Sequence, residues 1–336
     1  MSIKTAVAAG VLLLGYIMTS YTYASDNKIK IRSLFNINKA FCAIKTNGVL
    51  GMDNRYSALE GVGMGTSSTN AMLALENGIN DITIEIGALG WFSDEHSKHQ
   101  VRDEFSPDSY CNVALTIFSG EERKTVAQIK VAVNDKGVPQ AIGYDEGKQK
   151  IESKKIVAWQ VEEGHLDDKY FIKNYFPKDM TIYQFTQKVS LKGIPEWRWV
   201  KATPFTGKPE QVQALKNAYA ELWRLFSAKD NYAIKNNMKE LLNAWAIATD
   251  SDVDELYNSH QFVTNFKDKS FRMIPINWDD YKVEVMNKGR LVRFVNKSDP
   301  TVYPLSYYVK NEDGGNDMQW FTPIFSLVDG KFIPVI

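Results

Sequence analysis

Histidine appears four times and cysteine twice in the 336 residues, and neither sign of charge dominates, with 40 Lys and Arg against 40 Asp and Glu. That balance argues against nucleic-acid binding as the main function, because neutralising phosphates takes an excess of cations. It argues equally against a highly charged disordered chain. There is no Gly-x-Ser-x-Gly elbow, and His96, His99, His165 and His260 are scattered so that no spacing pairs one with a serine and an acid. A redox-active C-x-x-C is also missing. Beyond the N-terminal segment no apolar stretch approaches the roughly 20 residues that span a bilayer.

What is present begins with the pattern of an export signal. Lys4 forms a short positive region, Ala6 to Met18 is apolar, and Thr22, Tyr23 and Ala24 provide the break. Cleavage is expected near Ala24, leaving a protein in the periplasm with no membrane insertion. Only one charged residue, Lys4, would be removed. In an oxidising compartment Cys42 and Cys111 are expected to form a structural disulfide.

Residues 25–205 read as strands and turns. Phe41 to Lys45 leads into Thr46-Asn47-Gly48, a strong hairpin signal because Asn and Gly tolerate positive φ. Ile82, Ile84 and Ile86 alternate with Thr83 and Glu85, which predicts a half-buried antiparallel strand. The alternation returns in Val113, Leu115 and Ile117 and in Val126 to Val133, followed by the turn Asn134 to Gly137. Further strands are expected over Ile156 to Val161 and Thr181 to Leu191, with Glu162 to Lys178 a short helix or an edge-covering loop. Short strands at these intervals fit an antiparallel β-sandwich, and a Cys42–Cys111 bridge would tie an early strand to a central one across it.

The period changes after Thr203 to Pro209. Val212, Leu215, Tyr219, Leu222 and Phe226 recur at helical spacing, with Pro209 suited to the first turn. A second helix is expected from Ile234 to Trp245, and Ser251 with Asp254 reads as the capping box of a third. Strands resume at Tyr281 and include Leu291 to Val295, Tyr303 to Val309, Met318 to Leu327 and Phe332 to Ile336. The fold class is therefore α+β: a signal over 1–24, a β-sandwich domain over 25–205, and over 206–336 a smaller domain of helices packed on a curved antiparallel sheet. The order of elements in this last part resembles the cone-shaped nuclear transport factor 2-like family, which implies a pocket that is catalytic in some members and not in others.

Asp94, Glu95, His96, His99, Asp103 and Glu104 combine imidazole and carboxylate donors of the kind that bind zinc, in a stretch otherwise typical of a solvated loop. We assign no metal. Gly61-Val62-Gly63-Met64-Gly65 lacks the Lys of a phosphate-binding loop and reads as a bulged hairpin or strand edge. Neither a cofactor nor a catalytic residue is assigned. The loop from Ser93 to Pro107 is read as a contact surface at a sandwich end. Candidate partner-binding residues are Trp91, Phe92, Asp94, Glu95, His96 and His99, together with Trp197 and Trp199, which Pro195-Glu196-Trp197-Arg198-Trp199 places on one side of an extended segment at the surface or the domain junction.

Phe41-Cys42-Ala43-Ile44, Gly78 to Glu85 and Pro195 to Trp199 resemble passages in periplasmic proteins encoded beside type VI secretion effectors. The resemblance implies an immunity or accessory protein whose partner is a secreted effector, a lipase or a peptidoglycan hydrolase, and whose action is to occlude its active site. The alternatives are a carbohydrate-binding protein with Trp197 and Trp199 on an exposed flat face, and a small-molecule enzyme with a deep polar pocket in the C-terminal domain.

Overall fold

A computed structural model describes residues 29–93, 99–142, 150–310 and 313–336. The expected signal segment and Asp94, Glu95 and His96 lie outside the described residues.

Alternating apolar residues before residue 205 make two antiparallel five-stranded sheets. One has the order β4 (Gly65–Asn70), β1 (Ile29–Asn38), β6 (Tyr110–Ser119), β7 (Glu122–Val133), β8 (Pro139–Ala141). The other runs β3 (Val49–Asp53), β2 (Phe41–Thr46), β5 (Gly78–Gly87), β10 (Thr181–Leu191), β9 (Ile151–Val157). Ile31 and Ile37 of β1, Leu115 of β6 and Ile82, Ile84 and Ile86 of β5 fill the space between them. Cys42 on β2 is disulfide-bonded to Cys111 on β6, across the two sheets, with Cα atoms 6.3 Å apart. Asn47 and Gly48 adopt the positive φ that the β2–β3 hairpin demands.

β5 departs from the half-buried expectation. Thr83 and Glu85 are 8% and 7% exposed, because β5 is the central strand and its neighbours close over its polar face. Lys45 Nζ donates to Glu85 Oε1 at 2.7 Å, Gln184 Nε2 donates to the same oxygen at 2.9 Å, and the Thr83 and Thr186 hydroxyls lie 3.0 Å apart. Polar residues in alternation therefore mark a face that is hydrogen-bonded sideways and not one bathed in water.

After the linker come α3 (Pro209–Ser227), α4 (Asn231–Asn237), α5 (Lys239–Thr249), α6 (Val253–Ser259) and α7 (Phe262–Lys267), numbered after the short α1 (Arg55–Leu59) and α2 (His99–Arg102) of the sandwich. The single helix expected from Ile234 to Trp245 is broken at Met238. The third starts one residue later than the capping box implied: the Asp252 carboxylate, not Ser251, accepts from the N–H groups of Asp254 and Glu255.

Two antiparallel sheets follow: β12 (Tyr281–Met286), β13 (Leu291–Asn296), β16 (Phe325–Val328), β17 (Lys331–Pro334); and β11 (Arg272–Met273), β14 (Leu305–Lys310), β15 (Asn316–Phe321). The strand expected from Met318 to Leu327 is divided between them, since Pro323 lacks the N–H that a continuous ladder needs. Leu215, Tyr219, Leu222 and Phe226 of α3 face these sheets and pack on Phe294, Tyr307 and Phe325.

The two units share a core. Ala248, Met286, Leu291, Ile324 and Val335 from the second belong to the same apolar cluster as the sandwich interior. The Arg290 guanidinium makes a bidentate ion pair with Glu76, at 2.8 Å from Nη1 to Oε2, and its carbon lies 5.2 Å from the ring centroid of Trp199. The segment from Glu162 to Lys178, ambiguous in sequence, is a strap between the units: Glu162 N donates to Lys297 O, His165 N donates to Ser298 Oγ, and His165 Nδ1 lies 3.0 Å from Asp280 Oδ1.

Candidate functional site

Two places present chemistry that the fold itself does not consume: one end of the sandwich and a cavity between the units.

At the sandwich end, the chain leaves β3 through Asn54, whose side chain accepts from Cys42 N and donates to Ala40 O, and enters α1. Arg55 turns inward. Its guanidinium carbon lies 4.1 Å and 4.6 Å from the ring centroids of Phe176 and Phe41, and Nη1 donates to Tyr175 O at 2.8 Å. Burial lowers its pKa, with Asp53 opposing that shift. The turn that follows is closed by Val62 N and Gly63 N donating to Ser57 O, by Met64 N donating to Ser57 Oγ, and by Ala40 N donating to Gly63 O. Only glycine serves at 63: φ is +60°, and a Cβ there would stand 2.8 Å from Ala40 N. The glycine run is thus a braced turn leading into edge strand β4. With Arg55 and Ala58 inward, the turn presents Tyr56, Val62 and Met64 to solvent at 67, 50 and 56% exposure. Three large apolar side chains this exposed thus lie within nine residues of chain braced by backbone hydrogen bonds.

The aromatic residues singled out in the sequence behave differently. Trp91 and Phe92 are buried in a satellite core with Phe41, Ala58 and Met180, directly beneath α1. Trp197 and Trp199 are buried too: the Trp197 indole N–H donates to Met72 O and Leu75 O, and that of Trp199 to Leu73 O. These four side chains offer a partner no contact area, and Trp197 and Trp199 form no flat face for a sugar. The Arg290 guanidinium lies over the ring of Trp199. His99 opens α2. Asp103 acts as a tether: Oδ1 accepts from Thr181 Oγ1 at 2.6 Å and Trp91 Nε1 at 3.2 Å, and Oδ2 accepts from Lys155 Nζ at 2.5 Å. Burial acts to raise the Asp103 carboxyl, but the bonds from Lys155, Thr181 and Trp91 outweigh it and hold the group below its ordinary value. Among the described residues, no three His, Cys, Asp or Glu side chains are grouped to hold a metal ion.

The second place is a cavity of about 520 Å³ between the units. Ile44, Leu73 and Ala74 line it from the sandwich, and Leu242, Trp245 and Ile324 from the other side. It reaches the surface at Gly51, Ser259 and Trp320, all exposed. His260 stands at this end, its ring stacked 5.0 Å from that of Phe262, with its pKa lowered by burial. Arg293 is the charged side chain in the lining. By contrast, the space between α3 and its sheets, where a cone would hold a ligand, is packed with Tyr219, Phe226, Phe294 and Phe325. Tyr219 is fully buried; its hydroxyl accepts from Phe294 N at 3.1 Å, and burial raises its pKa.

Val62 and Met64 carried a legible signal, because apolar residues set between glycines have little structure to bury them. The cavity carried none, being assembled from distant segments. No family model matches the chain, and no curated protein or solved structure is found to be similar to it.

Proposed function

We propose that this is an exported binding protein without catalytic activity, that it acts by occupancy, and that its partner is a periplasm-acting secreted toxin of the lipase or peptidoglycan hydrolase class whose active site it covers. The observation that carries the reading is the exposed apolar trio Tyr56, Val62 and Met64 on a braced turn. Apolar and aromatic anchors on a rigid frame are the groups that dominate binding energy at protein interfaces, and rigidity lowers the entropy lost on association. The disulfide across the sandwich is compatible with an oxidising compartment. The class of partner comes from the sequence resemblance to proteins encoded beside secretion effectors.

The test uses the product of the adjacent gene, sent to the periplasm with and without this protein. Wild type is expected to bind it and restore growth. Tyr56→Glu with Met64→Glu, both at exposed positions that leave the core intact, should weaken binding at least about tenfold. Failure of the wild-type protein to bind would end the toxin reading, and unchanged affinity of a folded double variant would remove this surface from it.

A further inference from the structure

The cavity between the units holds hydrogen-bond donors that nothing in the fold uses. Arg293 projects from β13, and its Nε donates to Glu284 Oε2 at 2.6 Å. Its guanidinium carbon stands 5.1 Å from the ring centroid of Tyr303. A guanidinium carries N–H donors on every nitrogen. Among the described residues neither terminal nitrogen of Arg293 makes a hydrogen bond, although the side chain is only 12% exposed. These nitrogens are not sealed from solvent, and they are spare donors on an arginine of a cavity wall whose other lining is mainly aliphatic and aromatic.

We propose that this cavity binds a single-chain acyl amphiphile with a neutral, oxygen-bearing head, an ester or amide, whose carbonyl accepts from Arg293 while the chain lies against Ile44, Leu73, Leu242, Trp245 and Ile324. The size suits such a ligand, since small-molecule sites commonly enclose about 300–1,000 Å³ and combine apolar walls with a few placed polar groups. The exposed Gly51, Ser259 and Trp320 give the chain a way in.

The neutral head follows from the charges around Arg293. Glu284 already compensates its positive charge at hydrogen-bond distance. Asp299 and Asp53 add negative potential at Tyr303, the ring beneath the guanidinium. His260, the other titratable side chain of the lining, is shifted toward its neutral form by burial. The site therefore has donors to offer and no net positive charge, so a carbonyl oxygen is accepted where a second carboxylate would be repelled. This site is separate from the sandwich-end surface, and its occupation does not depend on a toxin partner.

The test is titration calorimetry of the delipidated full-length mature protein at neutral pH with octanoyl, decanoyl and dodecanoyl monoacylglycerols and the matching fatty acids. Affinity for the esters should rise by about fourfold per methylene until the cavity is filled, the gain expected for burying each group. At equal chain length the ester should bind more tightly than the carboxylate. Arg293→Lys keeps a cation beside Glu284 but loses the fork of spare donors, and should weaken ester binding about tenfold. Ser259→Trp, at an exposed position on the rim, should block entry while leaving the melting transition in place. Absence of ester binding, affinity independent of chain length, or full binding by a folded Ser259→Trp variant would overturn the site. Equal or tighter binding of the fatty acid would overturn the assignment of its head group.

Discussion

Asp103 shows how a residue type that suggests metal chemistry can be consumed by structure. Its two oxygens accept from Trp91, Thr181 and Lys155, tying the start of the segment before β6 to β9 and β10. Because the folded carboxyl is held below its ordinary value, its contribution is fully present above about pH 4, where the unfolded group ionises, and is lost as pH falls through the lower folded value. Asp103→Asn should therefore destabilise the protein by about 1 kcal/mol at neutral pH, partial exposure keeping the figure small. The difference from wild type should shrink in denaturant melts taken below about pH 4. A gap that stays constant with pH would mean that ionisation plays no part.

Among elements, β2 makes the strongest demand on its sequence. Cys42 and Ile44 face the space between the sheets, while Phe41 and Ala43 face the satellite core that also holds Trp91 and Phe92. A strand buried on both faces cannot alternate, and Phe41-Cys42-Ala43-Ile44 does not. Its disulfide to β6 closes a loop of 69 residues, which by loop-closure entropy is worth about 4 kcal/mol. Cys42→Ala with Cys111→Ala should lower the unfolding free energy by roughly that amount, measured by urea titration against oxidised wild type. A loss below about 1 kcal/mol would show that the packing of the two sheets, and not the crosslink, holds β2 in place. The glycine turn after α1 belongs to the same scale, since the satellite core and Arg55 fix the element that displays Tyr56, Val62 and Met64.

For the whole molecule, the central fact is the continuity of the core across the linker. Glu76 and Arg290 are 12% and 14% exposed at their side chains and meet between the units, with the hydrogen bonds from Arg290 holding the Glu76 carboxyl below its ordinary value. Arg290 also donates to Val200 O and to Asn287 Oδ1. Removing one partner strands a charge in a buried place, so Arg290→Met should cost about 3–5 kcal/mol, whereas Arg290→Met with Glu76→Met should recover much of that loss. The two units should also melt in one transition, observed by calorimetry. Separate transitions in the wild-type protein would contradict a shared core.

Legibility in the sequence followed the range of the forces involved. The β2–β3 hairpin, β10 and α3 stand where the pattern put them, because turn chemistry and side-chain period act over a few residues. The strand divided at Pro323 went astray because side-chain alternation does not register a missing N–H, and the helix broken at Met238 because the apolar period runs on through the break. The surface of Tyr56, Val62 and Met64 was not among the sequence candidates, which fell on tryptophans and on the segment after Trp91. An indole reads the same in a core as on a surface until its N–H finds its acceptor, and for Trp197 and Trp199 the acceptors lie in the chain from Met72 to Leu75, far away in sequence.

By itself the sequence determined the α+β class, the cysteine pair able to bridge the sandwich, the turns built on Asn and Gly, and the change from strand to helix period near Pro209. Only the tertiary structure decided which apolar residues stay in water, which polar face of β5 is closed over, and that a cavity with spare guanidinium donors lies between the units. Local preference is set by each residue and its near neighbours in the chain. Exposure, enclosed volume and unmet hydrogen-bonding capacity are properties of what comes to lie opposite, and that is settled when distant segments pack.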